Sequence, residues 1–159
     1  MRRRTLRLLS IDLAGKGFGF ALLDARLGLL DWGFSAVAAT DDNAFMKRVA
    51  ARIDRGRPTA IVLENFAPVK GRENVLRRRD LLVSIANSRR LGTCHVSRTI
   101  VQRVMGVRTK AEIAKSLARR FRELQTRIPP ERKQWTTEDE RMHIFDALSF
   151  AVTVLPPAD

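Results

Sequence analysis

Apolar residues recur at every second position from Leu9 through Ile11 to Leu13, with Ser10 and Asp12 between them, until Gly15, Gly17 and Gly19 break the alternation. Period two predicts a strand with one apolar face, ended by a tight turn. The same period returns at Phe18, Phe20 and Leu22 and, past the connection DARLG, at Leu30, Trp32 and Phe34. Three such runs joined by short links read as an antiparallel meander. The period then changes. Phe45, Val49 and Ile53 are spaced by four, behind Asp41 or Asp42 as a cap and ahead of Gly56 and Pro58, which predicts a helix.

TAIVL at 59–63 is a continuous apolar run that ends at Glu64. It suits a strand buried on both faces, parallel to the first because a helix separates them. ENVLRRRDLLVSIANSRR, residues 73–90, lacks glycine and proline and reads as a helix stopped by Gly92, with TCHVS as a fifth strand. Thr109 and Glu112 form a capping box opening a helix with the stripe Ile113, Leu117, Phe121 and Leu124, up to Pro129 and Pro130. A second box, Thr137 to Glu140, opens a last helix running to about Leu155. The order βββαβαβαα predicts an α/β fold in one domain spanning residues 1–159: a five-stranded mixed sheet, made of the meander plus two parallel strands, flanked by helices. The first strand is expected at its centre.

Composition narrows the partners. Hydrophobic residues make up 45% and charged residues 30%, which is globular rather than disordered. The net charge of +13 is concentrated: residues 1–69 carry +4, 70–133 carry +13 and 134–159 carry −4. A polycationic middle segment attracts polyanions, nucleic acid foremost. An anionic membrane is the competitor, but no run of about 18 apolar residues exists, and Arg7 and Asp12 interrupt the apolar start, so neither a span nor a signal peptide is expected. Cys94 alone cannot form an internal disulfide, and its apolar neighbours predict a buried thiol. The expected compartment is the cytoplasm.

Three acids stand where acids are costly. Asp12 and Glu64 end two apolar strands, and parallel neighbours about 4.8 Å apart bring both to one edge of the sheet. Asp146 sits among Ile144, Phe145, Ala147 and Leu148, while Asp139 and His143 precede it by seven and three and share its helix face. Oxygen ligands with one imidazole suit Mg²⁺ or Mn²⁺, and two such ions serve phosphodiester hydrolysis. The alternative is equally open: strand-end acids satisfied by backbone N–H groups or arginines, a satisfied histidine, Glu140 as capping acid and Asp139 as first-turn charge.

LSIDLAGKGFGFALLD, AIVLENF, the long helix after it and HIFDALSFAV together resemble the RuvC-type Holliday junction resolvases of the RNase H-like superfamily, from about residue 6 to 155. The resemblance implies an RNase H-like nuclease that resolves four-way DNA junctions with two Mg²⁺ ions, Mn²⁺ substituting. It implies Asp12, Glu64, His143 and Asp146 as metal-binding and catalytic residues. The nucleic-acid-binding candidates are Phe66, Lys70, Arg72, Arg108, Lys110, Lys115, Arg119, Arg120 and Arg122. Lys110 answers to a basic residue facing the scissile phosphate, where a helix N-terminus favours phosphate anyway. Phe66 answers to an aromatic that follows the fourth-strand acid, and its other reading is packing of the turn. SIDLAG lacks the proline that usually follows the first acid in this family. The family pairs through the helix after the fourth strand, and Val75, Leu76, Leu82, Val83 and Ile85 on that helix are more apolar residues than one core face needs, which implies a homodimer.

Two other functions fit the same features: an RNA-processing nuclease of the YqgF type, and a non-catalytic nucleic-acid-binding module on this fold. The actin-like and sugar-kinase group also pairs an acid with glycines in its first hairpin, but needs two such domains.

Overall fold

The alternating run at Arg7–Ala14 is strand β1 of the computed structural model, which describes residues 4–68, 70–130 and 139–155. It pairs antiparallel with β2 (Gly17–Asp24), which pairs antiparallel with β3 (Gly28–Ala36), so the meander is present. Helix α1 (Asp42–Gly56) begins where the Asp41 carboxylate accepts the Ala44 N–H, and it ends at Arg57, which turns left-handed at φ 47°. Strand β4 (Ala60–Glu64) runs parallel to β1, and β5 (Gly92–Val96) parallel to β4, with α2 (Glu73–Ser88) between them. The sheet order β3-β2-β1-β4-β5 places β1 at the centre.

Period two sorts the side chains onto two faces. Leu9, Ile11, Phe18, Phe20, Ile61 and Leu63 pack with Phe45, Val49 and Ile53 of α1 and Leu82 of α2. Leu8, Ala21, Leu23, Val62 and Val96 face the other way, under α5 (Met142–Val154) and its neighbour α4 (Lys110–Arg120). Alternation puts Ser10, Asp12, Gly19 and Glu64 on this second face. The β1–β4 pairing runs to Ile11 and Leu63, so Asp12 and Glu64 emerge side by side at one edge.

Residues 144–152 of α5 are all buried, as expected of a helix that is apolar nearly all round. Its close seating depends on Gly19, the cross-strand partner of Asp12. A Cβ at Gly19 would run into the backbone carbonyl of His143.

The elements depart from the sequence reading at five points. An additional helix, α3 (Arg98–Met105), follows β5; the Ser97 hydroxyl accepts the Ile100 N–H and Gly106 closes it at φ 68°. Its two turns are too short to leave a periodic signature. The capping box of Thr109 and Glu112 opens α4 as expected, but the helix ends at Arg120. Phe121 is extended, and a 3-10 turn over Arg122–Arg127 keeps both Phe121 and Leu124 buried while the intervening polar pair stays outside. Helix α2 ends at Ser88, Arg90 turns left-handed at φ 56°, and Gly92 opens β5 instead of stopping the helix. Helix α5 starts at Met142 because residues 139–141 form a turn in which the Asp139 carboxylate folds onto Arg141. Thr137, the expected cap, lies outside the described residues. Finally, Cys94 is half-buried rather than fully enclosed.

On α2, Val75, Leu82 and Ile85 belong to the core and Val83 packs half-buried against it, while Leu76 is half-buried outside it. Among the described residues no helix is long and apolar enough to cross a membrane.

Gly19→Ala is expected to lower the unfolding free energy by about 1–3 kcal/mol, the usual cost of overpacking. Gly15→Ala, whose Cβ meets nothing, should leave the urea midpoint nearly unchanged. Equal midpoints for the two variants would show that α5 does not depend on the gap.

Candidate metal centre

The three acids near the end of β1, at the end of β4 and within α5 meet beneath one lip of the sheet. Asp12 is 2% exposed, Glu64 9% and Asp146 0%. A charge so withdrawn from water needs compensation. Arg98, the first residue of α3, supplies most of it. Its Nε lies 2.8 Å from Glu64 Oε1, its Nη1 3.2 Å from Asp146 Oδ1 and its Nη2 3.7 Å from Asp12 Oδ1. Lys110 Nζ, at the start of α4, is 3.1 Å from Asp146 Oδ2. Both Asp146 oxygens are buried within reach of these cations and fall short of well-aligned hydrogen bonds.

His143 approaches from the other side. Its Nδ1 is 2.7 Å from Asp12 Oδ2, and its ring lies 5.6 Å from that of Phe34 at 30°. Phe34 is paired with Gly19, itself paired with Asp12, so one row across three strands sets the imidazole over the carboxylate. Asp12, His143 and Asp146 each offer a ligand atom within 4.8 Å of the others. Two carboxylates and an imidazole match the donor chemistry of Mg²⁺ or Mn²⁺, and the unaligned, buried oxygens of Asp146 are the kind of acceptor that a cation satisfies.

Burial raises the pKa of Asp12 to about 6, with Asp146 adding to the rise and His143 and Arg98 opposing it. Burial works against the charge of Arg98, but Asp146, Asp12 and Glu64 outweigh it and push its pKa up, so it stays cationic here as arginines do in water.

Of the residues singled out in the sequence, Asp12, His143 and Asp146 come together. Glu64 stands beside them but gives both oxygens to Arg98. Asp139 does not join the helix face it was expected to share; its carboxylate is held below the usual range by the Arg141 guanidinium. Among the basic candidates only Lys110 reaches the carboxylates. Lys70, Arg108, Lys115, Arg119, Arg120 and Arg122 are exposed, and Arg119 and Arg120 end α4, about 15 Å along its axis from Lys110. Phe66 lies in the loop after Glu64 with the guanidiniums of Arg72 and Arg79 over its ring at 4.7 and 5.4 Å. Arg98 and Phe34 were not anticipated. Ser97 and Gly106 bracket α3 and were the available signal for the first; nothing in the sequence ties Phe34 to His143.

This architecture, with a central strand and its parallel neighbour delivering acids to one edge under a buried helix, is the RNase H-like fold. Its likeness is to RuvC-type structures: RuvC of T. thermophilus in complex with a Holliday junction substrate superposes at a TM-score of 0.70, with 16% identity over 93% of this chain and 91% of that one. The yeast mitochondrial Holliday junction resolvase Ydc2 superposes at 0.64, with 12% identity over 94% and 78%. No family model and no curated protein matches the sequence.

The raised pKa of Asp12 sets a sign for stability. Its folded value exceeds the ordinary 3.8, so the folded state holds the proton more tightly and stability falls as pH rises from about 4 to about 6. In metal-free buffer at pH 7.5, Asp12→Asn should therefore stabilise the protein, by about 1–3 kcal/mol, and the gain should vanish near pH 4. Chemical denaturation at both pH values checks it; a loss of stability at pH 7.5 contradicts it.

Proposed function

We propose that the protein is a metal-dependent, structure-selective endonuclease that cleaves four-way DNA junctions, using Mg²⁺ with Mn²⁺ as substitute, and that it works as a homodimer. The observation that carries this reading is the convergence of Asp12, His143 and Asp146 at the edge of an RNase H-like sheet, in a chain of net charge +13. The neighbours supply the substrate class, since RuvC was solved with a Holliday junction and Ydc2 is a Holliday junction resolvase.

In this reading Asp12, Glu64, His143 and Asp146 hold the metal. Two divalent ions held by these residues would supply Lewis-acid chemistry for phosphodiester hydrolysis. His143, with Nδ1 set 2.7 Å from Asp12 Oδ2, keeps Nε2 as the one nitrogen that either ligates the metal or accepts a proton. Lys110 combines an ammonium with the N-terminus of α4 and pairs with the phosphate. Phe66, Lys70, Arg72, Arg108, Lys115, Arg119, Arg120 and Arg122 form the wider contact with DNA, where each phosphate neutralised makes binding more salt-dependent. Leu76, half-buried on α2 and outside the core, supports pairing of two copies through that helix.

The test is cleavage of a four-way junction, a linear duplex and structured RNA, with and without Mg²⁺. The junction is expected to be cut, and only with metal. Asp12→Asn and Asp146→Asn should each reduce the rate more than about 100-fold, beyond the usual effect of residues behind the ligands, while junction binding persists. Preferential cutting of RNA would move the protein to RNA processing. Binding without cleavage under Mg²⁺ or Mn²⁺ would reduce it to a nucleic-acid-binding module.

The histidine has its own comparison. His143→Ala is expected to slow junction cleavage far more than Asp139→Ala, because Asp139 is committed to Arg141. Initial rates at saturating Mg²⁺ decide between them, and a larger loss for Asp139→Ala would reject the ligand set.

A further inference from the structure

Arg98 touches Asp12, Glu64 and Asp146 at once, through three different guanidinium nitrogens. A fork of fixed geometry against three carboxylates is an unusually complete set of partners for one side chain. It separates Glu64 from the group that can share an ion: Asp12, His143 and Asp146 present ligand atoms within 4.8 Å of one another, and Glu64 is outside that group, bound to Arg98 at 2.8 and 3.3 Å. Charge points the same way. A second divalent ion would enter beside the first and beside the side-chain cations Arg98 and Lys110, with no phosphate to offset the repulsion.

We propose that Arg98 is a built-in counter-ion that takes the place of a second metal in the DNA-free protein: it keeps the three carboxylates gathered, holds Glu64 away from the ion bound by Asp12, His143 and Asp146, and limits the free protein to one divalent ion. This inference rests on the metal-dependent reading above. Arg98 is thus a positioning residue: its charge sets the number of ions, and its fork fixes the place of Glu64.

Mn²⁺ binding to the DNA-free protein, followed by isothermal titration calorimetry and by the electron paramagnetic resonance of unbound Mn²⁺, tests it. The unaltered protein is expected to bind one Mn²⁺ per chain. Arg98→Gln should bind two, and the first about 10–100-fold more tightly, because a nearby positive charge has gone. Arg98→Lys, which keeps the charge, should stay at one ion with an affinity within a few-fold of the original. Two ions in the unaltered protein overturn the inference whether or not Arg98→Gln folds, and so does an Arg98→Gln variant that binds like the original. In both of those outcomes the metal-dependent reading survives. If neither the original nor Arg98→Gln binds Mn²⁺, both readings fall together.

Discussion

Withdrawing the carboxylates of Asp12 and Asp146 from water is the constraint around which this half of the molecule is organised. Asp146 lies in the most apolar helix among the described residues, and Asp12 sits near the end of the central strand. A buried charge that loses its partner costs several kcal/mol, so neither acid is tolerable alone. The compensation comes from the starts of two separate helices, Arg98 of α3 and Lys110 of α4, and from His143 one turn before Asp146. Each of these helices is stopped or started by its own local signals, Ser97 and Gly106 for one and the box of Thr109 and Glu112 for the other. Local capping thereby determines where the cations fall relative to the acids.

The seating of α5 links this electrostatics to packing. Gly19 has no side chain, so the helix backbone at His143 comes down onto β2 opposite Asp12, and Phe34 in the next strand fills the space under the imidazole. The row Asp12, Gly19, Phe34 runs across three strands in register. Packing of this kind is unforgiving, because interiors are filled to near crystal density and a methyl group has nowhere to go. The raised pKa of Asp12 records the same burial in another form: the folded chain carries an acid that burial disfavours in its charged state, as is common where a protein keeps a site ready for a ligand.

Much of this was legible in the sequence because it depends on short-range periodicity. Alternation in 7–36 specifies the meander, the apolar run ending in Glu64 specifies the parallel neighbour, and together they send Asp12 and Glu64 to one edge of the sheet. The spacing of three between His143 and Asp146 likewise survives folding as a shared helix face. The same reasoning misplaced Asp139, because a residue near a helix start is governed by which partner reaches it first, and Arg141, two residues away, is such a partner.

What the tertiary structure alone decided is how the charges are shared. Sequence spacing left two readings open for the strand-end acids, metal ligands or groups satisfied by arginine, and the fold contains both features: an imidazole with two carboxylates close enough to share an ion, and one arginine bridging all three acids. Arg98 is 86 residues from Asp12 and 48 from Asp146. Residues that far apart meet only when several elements have packed, and a two-turn helix has too few positions to announce its orientation beforehand. Periodicity along the chain therefore determined the sheet and the placement of the acids. Which cation faces which acid depended on the three-dimensional seating of α3, α4 and α5, because electrostatic contacts between distant elements leave no repeat in the sequence.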